Sequence, residues 1–221
     1  SEREEIRELC SYLPVVLLPV VTLGATYGLM VVTGWRFQHQ PALSLTTMLV
    51  FVPVFLLAAA GEELGWSGYV IEPLQHRFGA LGGSLVLGVV WWGFHVPSIV
   101  QSGQGRTLIV LGFFGALAFR VLWTWLFANT GRSVFAIIVV HAITNFCTAY
   151  VPTVPTSAQA PVLVVFAVLV TLLWGPRTLD RFRSPHDVRR SRRSARLGHE
   201  RTAARADASR AAGTGRSSTT G

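Results

Sequence analysis

Apolar stretches long enough to cross a lipid bilayer recur along most of this 221-residue chain. A membrane-spanning helix needs about 20 predominantly apolar residues. The stretches occupy residues 12–33, 42–61 continuing toward 70, 80–97, 107–128, 133–150 and 161–175. In lipid every backbone N–H and C=O must find a partner within its own element, which favours helices over open sheets. The sequence therefore predicts an all-α, polytopic transmembrane bundle with about six spans.

The net charge of the chain lies in its C-terminal part. Hydrophobic residues make up 51% of the sequence and charged residues 14%, a composition too apolar for an ordinary soluble domain. Residues 1–176 carry seven Arg and seven acidic residues, whereas residues 177–221 carry twelve Arg and four acidic residues. The first segment is predicted to be a transmembrane domain, and the second a disordered, Arg-rich tail.

A basic tail beside a membrane helix more often determines topology than binds nucleic acid. We therefore expect residues 177–221 to lie on the cytoplasmic side against anionic lipid, and we expect no nucleic-acid partner. With six spans the N-terminus, which carries Arg3 and Arg7, falls on the same side. The sequence thus predicts a multi-pass protein of the cell membrane, which we interpret as a bacterial inner membrane.

Five ionisable side chains fall within the predicted spans or near their ends, namely Glu62, Glu63, His95, Arg120 and His141. An ionisable group inside a membrane costs a few kcal/mol, so each is a functional candidate. If the second span runs to residue 72, Glu62 lies roughly 15 Å from the cytoplasmic end of its helix. Arg120 and His141 lie roughly 12 Å from the ends of theirs. These depths predict a shared layer, which includes His95 if its helix begins after residue 80.

Helical spacing adds two residues to this layer. In "HAITN", His141 and Asn145 are four residues apart and share one helix face, where the amide can orient an imidazole or a substrate carbonyl. In "WWGFHVP", Trp91 precedes His95 by four residues and lies on the same face. A single histidine in a span is more often a packed core residue, but this combination favours a reaction centre.

The chemistry of this set points to hydrolysis of an amide bond. Two adjacent carboxylates, Glu62 and Glu63, cannot both ionise easily in a low-dielectric site. Such a carboxylate can take a proton from water and return it to a leaving amine. Histidines can bind a metal or donate a hydrogen bond to an oxyanion. Two alternatives stay open: a divalent metal such as zinc held by Glu62, His95 and His141, and a metal-free glutamate mechanism.

Three segments resemble, in order, the motif regions of the CAAX-processing and bacteriocin-processing (CPBP) intramembrane proteases, also called the ABI or type II CAAX prenyl endopeptidase-like family. They read "GEELGWSGYVIEPLQHRFG", "LVLGVVWWGFHVP" and "RVLWTWLFANTGRSVFAIIVVHAITNF". The EExxxR motif matches at Glu62 and Glu63. The FxxxH motif matches at His95, with Trp91 in the aromatic place. The Hxxx(N/D) motif matches at His141 and Asn145. The similarity covers roughly residues 42–150.

The resemblance implies a helical bundle with a cavity open to the cytoplasm, and an endopeptidase that acts on a membrane-associated peptide or protein. It implies Glu62 as the general base, with Glu63 in support. His95 and His141 would bind a metal or the oxyanion, and Asn145 would help to hold the oxyanion. Members of the family process prenylated CAAX tails or bacteriocin leader peptides, or serve in bacteriocin immunity.

One residue departs from the family pattern, because Ser67 stands where EExxxR has Arg. That Arg would lie one helical turn from Glu63 and could neutralise it. We hypothesise that Arg120, from another helix at similar depth, pairs with Glu63 instead. One alternative is a weakened or inactive homologue, marked by Ser67, that serves as a membrane scaffold or immunity protein. Another is a small proton-coupled transporter, which predicts an internal repeat that the sequence lacks.

Overall fold

The computed structural model describes residues 2–35, 44–103, 105–150 and 154–180, and these residues form helices and turns without any strand. The predicted all-α fold class is therefore confirmed. The tail prediction falls mostly on residues 181–221, which lie outside the described residues, and it stays a prediction. The helices are α1 (Glu2–Val32), α2 (Leu45–Gly65), a π-helical segment (Trp66–Val70), α3 (Ile71–Gln101), α4 (Arg106–Asn129), α5 (Val134–Tyr150) and α6 (Thr156–Trp174).

Among the described residues, four helical stretches are long and apolar enough to cross a membrane, as expected of a polytopic protein. They are Tyr12–Val32, Leu45–Gln101, Arg106–Asn129 and Thr156–Trp174. The apolar part of α5, Val134–Ala149, is shorter. Large apolar side chains along these helices stay exposed, for example Leu57, Val32 and Leu172. Such surfaces are suited to lipid, because lipid tails solvate apolar side chains as well as a protein core does.

The longest helical stretch, residues 45–101, is a hairpin bent at Gly79. Gly79 adopts φ 73° and ψ 174°, a conformation that L-residues with a side chain rarely adopt. The chain then turns back so closely that a Cβ on Gly83 would lie 2.9 Å from the backbone nitrogen of Gln75. Further along, the Trp91 side chain reaches Glu62. The two arms, 45–78 and 80–101, therefore run antiparallel and bring the first two motif regions together.

Helix ends differ from the predicted spans at several prolines and at one link. Residues 71–79, predicted as a link between two spans, are helical as far as Phe78, and the break falls at Gly79 alone. Pro97 and Pro161 lie inside α3 and α6, which continue beyond them to Gln101 and back to Thr156 respectively. Proline is tolerated in a membrane helix because neighbouring groups satisfy the backbone carbonyl that it leaves free. These prolines therefore do not mark the helix ends, as they would in a soluble protein.

The segment that follows α6 caps the second arm of the hairpin. Breaking a helix at Gly79 leaves the next backbone N–H groups without partners. Ala80 N–H donates to the Arg177 carbonyl and Leu81 N–H to the Pro176 carbonyl, both at 2.9 Å. Leu179 is fully buried, and its carbonyl accepts a hydrogen bond from Asn129 at 2.8 Å. Residues 176–180 thus pack against the helical unit.

Helix α4 lies at the centre of the bundle, between α3 and α6, and carries much of the buried core. One apolar cluster, which includes Leu87, Trp91, Trp123, Ile137 and Val140, joins α3, α4 and α5. A second cluster joins α4, α6 and Leu179. Arg120 projects from α4 and is 1% exposed. The first cluster therefore encloses polar groups that need partners inside the bundle.

Candidate active site

Glu63 is a fully buried carboxylate whose two oxygens both accept hydrogen bonds. Oε1 accepts from Arg120 Nη2 at 3.1 Å and from His141 Nδ1 at 3.0 Å. Oε2 accepts from Arg120 Nη1 at 3.0 Å and from the Ser67 hydroxyl. Ser67 follows Glu63 by one turn and lies in the π-helical segment, a local widening that is often found at functional sites. Glu63 is therefore held by three residues from three helical segments.

Arg120 is the cation that compensates Glu63. The ion pair hypothesised between these two residues is present and bidentate, with the two side chains 1% and 0% exposed. The guanidinium also lies over two indole rings, at 4.7 Å from the Trp91 centroid and 5.1 Å from the Trp123 centroid. Aromatic faces attract a desolvated guanidinium. Arg120 thus supplies from α4 the charge that Ser67 cannot supply from the EExxxR position.

Glu62 has a different environment from its neighbour. Its side chain is half-buried, and Oε2 accepts a hydrogen bond from Trp91 Nε1 at 2.8 Å. Oε1 forms no hydrogen bond within the described part of the chain. Adjacent residues of a helix point about 100° apart, so the two carboxylates meet different helices. The two carboxylates therefore do not share one environment. Both oxygens of Glu63 are fully hydrogen-bonded, whereas Glu62 Oε1 has no partner among the described residues.

Both histidines of the predicted layer lie against the Trp91 indole. The ring centroid of His95 is 4.5 Å from that of Trp91, and the centroid of His141 is 6.2 Å from it. His95 Nδ1 donates to the Trp91 carbonyl at 2.8 Å, and His141 Nδ1 donates to Glu63, because a carbonyl and a carboxylate only accept. Each imidazole therefore has Nε2 as its remaining polar atom, an acceptor when the ring is neutral and a donor when it is protonated.

Asn145 and Trp123 are the remaining side chains of the site. Asn145 lies one turn beyond His141 on α5, is half-buried, and makes no hydrogen bond to the residues that the structure describes. Trp123 was not among the sequence candidates, yet its ring stacks on His141 at 4.6 Å and on Arg120. Its position three residues after Arg120, in "RVLWTW", is the signal that could have found it, because i and i+3 share a helix face.

The placement of the donors does not fit a metal ion. Within the described residues no group of three or more His, Cys, Asp or Glu side chains could hold one. Glu62, His95 and His141 are all described, so the set proposed from the sequence does not converge on one point. Glu63 and His141 do lie together, but their contact is a hydrogen bond to each other rather than a shared ligand sphere. No catalytic step is therefore assigned to a metal.

Comparison with known proteins agrees with the motif regions. Residues 44–147 match the model of the Rce1-like family, described as type II CAAX prenyl endopeptidase Rce1-like. The matched segment includes the three motif regions. It contains all of the site residues described above. The chain is also similar to CAAX prenyl protease 2 of Methanococcus maripaludis, with 31% identity over 144 residues.

That alignment covers 60% of this chain and 51% of the archaeal protein, so the chain spans about half the length of its curated relative. The family predicted from the three motifs is confirmed, and so is a polytopic helical fold.

Proposed function

We propose that this protein is an intramembrane endopeptidase in which Glu62 activates the hydrolytic water. The observation that carries the proposal is the difference in hydrogen bonding between the adjacent carboxylates Glu62 and Glu63. Glu63 accepts four hydrogen bonds and is neutralised by Arg120, so it has no lone pair directed at a substrate. Glu62 keeps one oxygen without a partner among the described residues and is half-buried. Of these two carboxylates, Glu62 is therefore the one that can exchange a proton with water.

The proposed reaction conserves protons within the site. Glu62 Oε1 accepts a proton from water as the water oxygen attacks the carbonyl carbon of the scissile peptide. The negative charge that develops on the carbonyl oxygen is stabilised by the Asn145 amide N–H and by Nε2–H of a protonated histidine, His95 or His141. The C–N bond then breaks, and protonated Glu62 returns its proton to the leaving amine.

Glu63 and Arg120 serve this reaction by holding His141. The Glu63 carboxylate accepts from His141 Nδ1, which fixes the ring and directs Nε2 away from the ion pair. The Trp91 carbonyl has the same effect on His95. Donors that are already fixed in place do not need to reorganise when charge develops, and this is the source of their effect on the rate.

The substrate class follows from the family and from the membrane. We propose a membrane-associated peptide or protein, and a prenylated CAAX tail is the first substrate to test, because the relative is a CAAX prenyl protease. We further propose that the chain lies in the cell membrane with its C-terminus in the cytoplasm. There the Arg-rich residues 177–221 would bind anionic lipid. A bacteriocin leader peptide is the alternative substrate within the predicted family.

The inactive scaffold proposed as an alternative rested on Ser67. Since Arg120 forms a bidentate pair with Glu63, replacement of the motif Arg by Ser67 does not leave Glu63 without a counter-charge. Ser67 itself donates a hydrogen bond to Glu63. These contacts favour an intact site over a decayed one. The transporter alternative gains no support, because Glu63 is locked in hydrogen bonds and cannot carry protons through the layer.

The test is a cleavage assay with purified protein in lipid nanodiscs, using a prenylated CAAX peptide and a bacteriocin leader peptide. We expect Glu62→Gln to lower the turnover number by about 10²- to 10⁴-fold. Glu72→Gln is the matched control, because Glu72 is half-exposed and pairs with Arg132 outside the site. Cleavage by Glu62→Gln at the wild-type rate would show that Glu62 is not the base.

A further inference from the structure

Trp91 contacts Glu62, His95 and Arg120, three of the charged or titratable members of the site. Its indole N–H donates to Glu62 Oε2 at 2.8 Å, and its backbone carbonyl accepts from His95 Nδ1 at 2.8 Å. Its ring covers the Arg120 guanidinium at 4.7 Å. Trp91 itself is 9% exposed. Its only polar side-chain atom is thus directed, in a buried setting, at the residue proposed as the general base.

We propose that Trp91 is a positioning residue for hydrolysis, and that it acts through its indole N–H on Glu62. This inference rests on the proposed endopeptidase function. The N–H fixes Oε2, and a carboxylate with one oxygen fixed presents the other in a defined direction. Oε1 then faces the water that it deprotonates. Without the N–H, Glu62 rotates about its side-chain bonds, and Oε1 is aligned with the water only part of the time.

The positioning role can be separated from simple packing, because the contacts of Trp91 use different atoms. The ring contacts with Arg120 and His95 use the aromatic face, which phenylalanine also offers. The bond to His95 uses the main chain, which no substitution at this position removes. Only the contact with Glu62 depends on the indole nitrogen. Removing that one N–H therefore tests the positioning role with the other contacts in place.

The chain provides a matched control in Trp125. Its Nε1 is also buried, but no described residue accepts a hydrogen bond from it. Its ring packs against Trp174 at a centroid distance of 5.3 Å, away from the site residues. Trp125→Phe removes an indole N–H that has no acceptor, whereas Trp91→Phe removes one that holds Glu62.

The experiment measures kcat, KM and thermal unfolding of the full chain in nanodiscs with the peptide cleaved by the wild type. We expect Trp91→Phe to lower kcat by about 10- to 100-fold with KM unchanged, because the base is misaligned while substrate binding is untouched. Trp125→Phe should match the wild type. Since phenylalanine is smaller than tryptophan, a second variant carries β-(3-benzothienyl)alanine at position 91, which keeps the bicyclic shape and replaces the N–H by sulfur. It should show the same loss of kcat with an unchanged melting temperature.

A benzothienyl variant with wild-type kcat would overturn the positioning role and assign any Trp91→Phe defect to packing. A rise in KM without a change in kcat would also overturn it. The proposed endopeptidase function has its own test, and cleavage by Glu62→Gln at the wild-type rate would contradict it whatever the result at Trp91. Loss of activity in Glu62→Gln together with full activity in the benzothienyl variant would leave the endopeptidase standing without Trp91 as its positioning residue.

Discussion

Arg120 on α4 and Glu63 on α2 form a bidentate ion pair from which water is almost wholly excluded, with the two side chains 1% and 0% exposed. A buried pair of this kind contributes little net stability by itself, because both ions lose their hydration. Removing one partner, however, leaves the other as an uncompensated charge in the bundle. Neither Arg120 nor Glu63 can therefore be replaced alone by a neutral residue without destabilising the bundle.

Replacing Arg120 by Met should be strongly destabilising. We expect a loss of about 3–5 kcal/mol in the free energy of unfolding, because Glu63 then keeps only Ser67 and His141 as partners. Thermal unfolding in detergent or nanodiscs measures the change, and the cleavage assay reports the accompanying loss of activity. Normal folding and activity of Arg120→Met would contradict the compensating role of this residue.

The same pair provides a rescue experiment. Ser67 occupies the position where the EExxxR motif has Arg, one turn from Glu63. Adding Ser67→Arg to Arg120→Met should recover part of the lost stability, because it restores a cation beside the buried carboxylate. Ser98→Arg in the same background is the control, since Ser98 is exposed on α3. Equal recovery with both would indicate a general effect of positive charge.

Glu63→Gln and Glu62→Gln should fail in different ways. A neutral amide at position 63 cannot compensate the charge of Arg120. Its nitrogen also cannot accept the hydrogen bonds that one of the two carboxylate oxygens accepts in the wild type. We expect Glu63→Gln to lower both the melting temperature and the activity. Glu62→Gln should lower activity alone, because Glu62 is half-buried and accepts one hydrogen bond. Equal melting-temperature losses in the two variants would contradict the division of roles.

Much of this arrangement could be predicted from the sequence because it depends on local rules. The length of the apolar runs predicted the helices, and the helical spacing of His141 and Asn145 placed them on one face. The depth of Arg120 predicted its pairing with Glu63, since a buried charge in a membrane requires a partner. Each of these inferences needs only the position of a residue along its own helix and its depth in the bilayer.

The parts that could not be predicted depend on how helices face one another. Nothing in "GEELGWSG" shows that the hydrogen bonds of Glu63 are saturated while Glu62 keeps one open oxygen, because neighbouring side chains point about 100° apart and the rotation of α2 is set by packing. The contact between Trp91 and Glu62 requires the hairpin at Gly79, whose φ of 73° is not visible in the sequence. The involvement of Trp123 likewise follows only from the packing of α4 against α5.

Removal of metal should leave the activity largely intact. Among the described residues no group of three His, Cys, Asp or Glu side chains could hold an ion, and the proposed steps use none. We expect the purified protein to contain less than stoichiometric zinc and to retain cleavage after dialysis against a chelator. Zinc bound at one equivalent, and lost in His95→Ala and His141→Ala, would instead show that the two imidazoles converge on a metal.

Gly79→Ala should weaken both the fold and the site through the backbone alone. A Cβ at this position would meet only atoms at 3.6 Å or beyond, so there is room for it, but φ 73° is unfavourable for alanine. We expect a loss of about 1–3 kcal/mol in the free energy of unfolding. Activity should fall as well, because the bend aligns Trp91 with Glu62. The control is Gly24→Ala in α1, which has open space around its Cβ and no positive φ. This change should leave stability unchanged or raise it by up to about 1 kcal/mol, because alanine is the better helix former. Equal effects of the two substitutions would show that Gly79 is not what sets the hairpin.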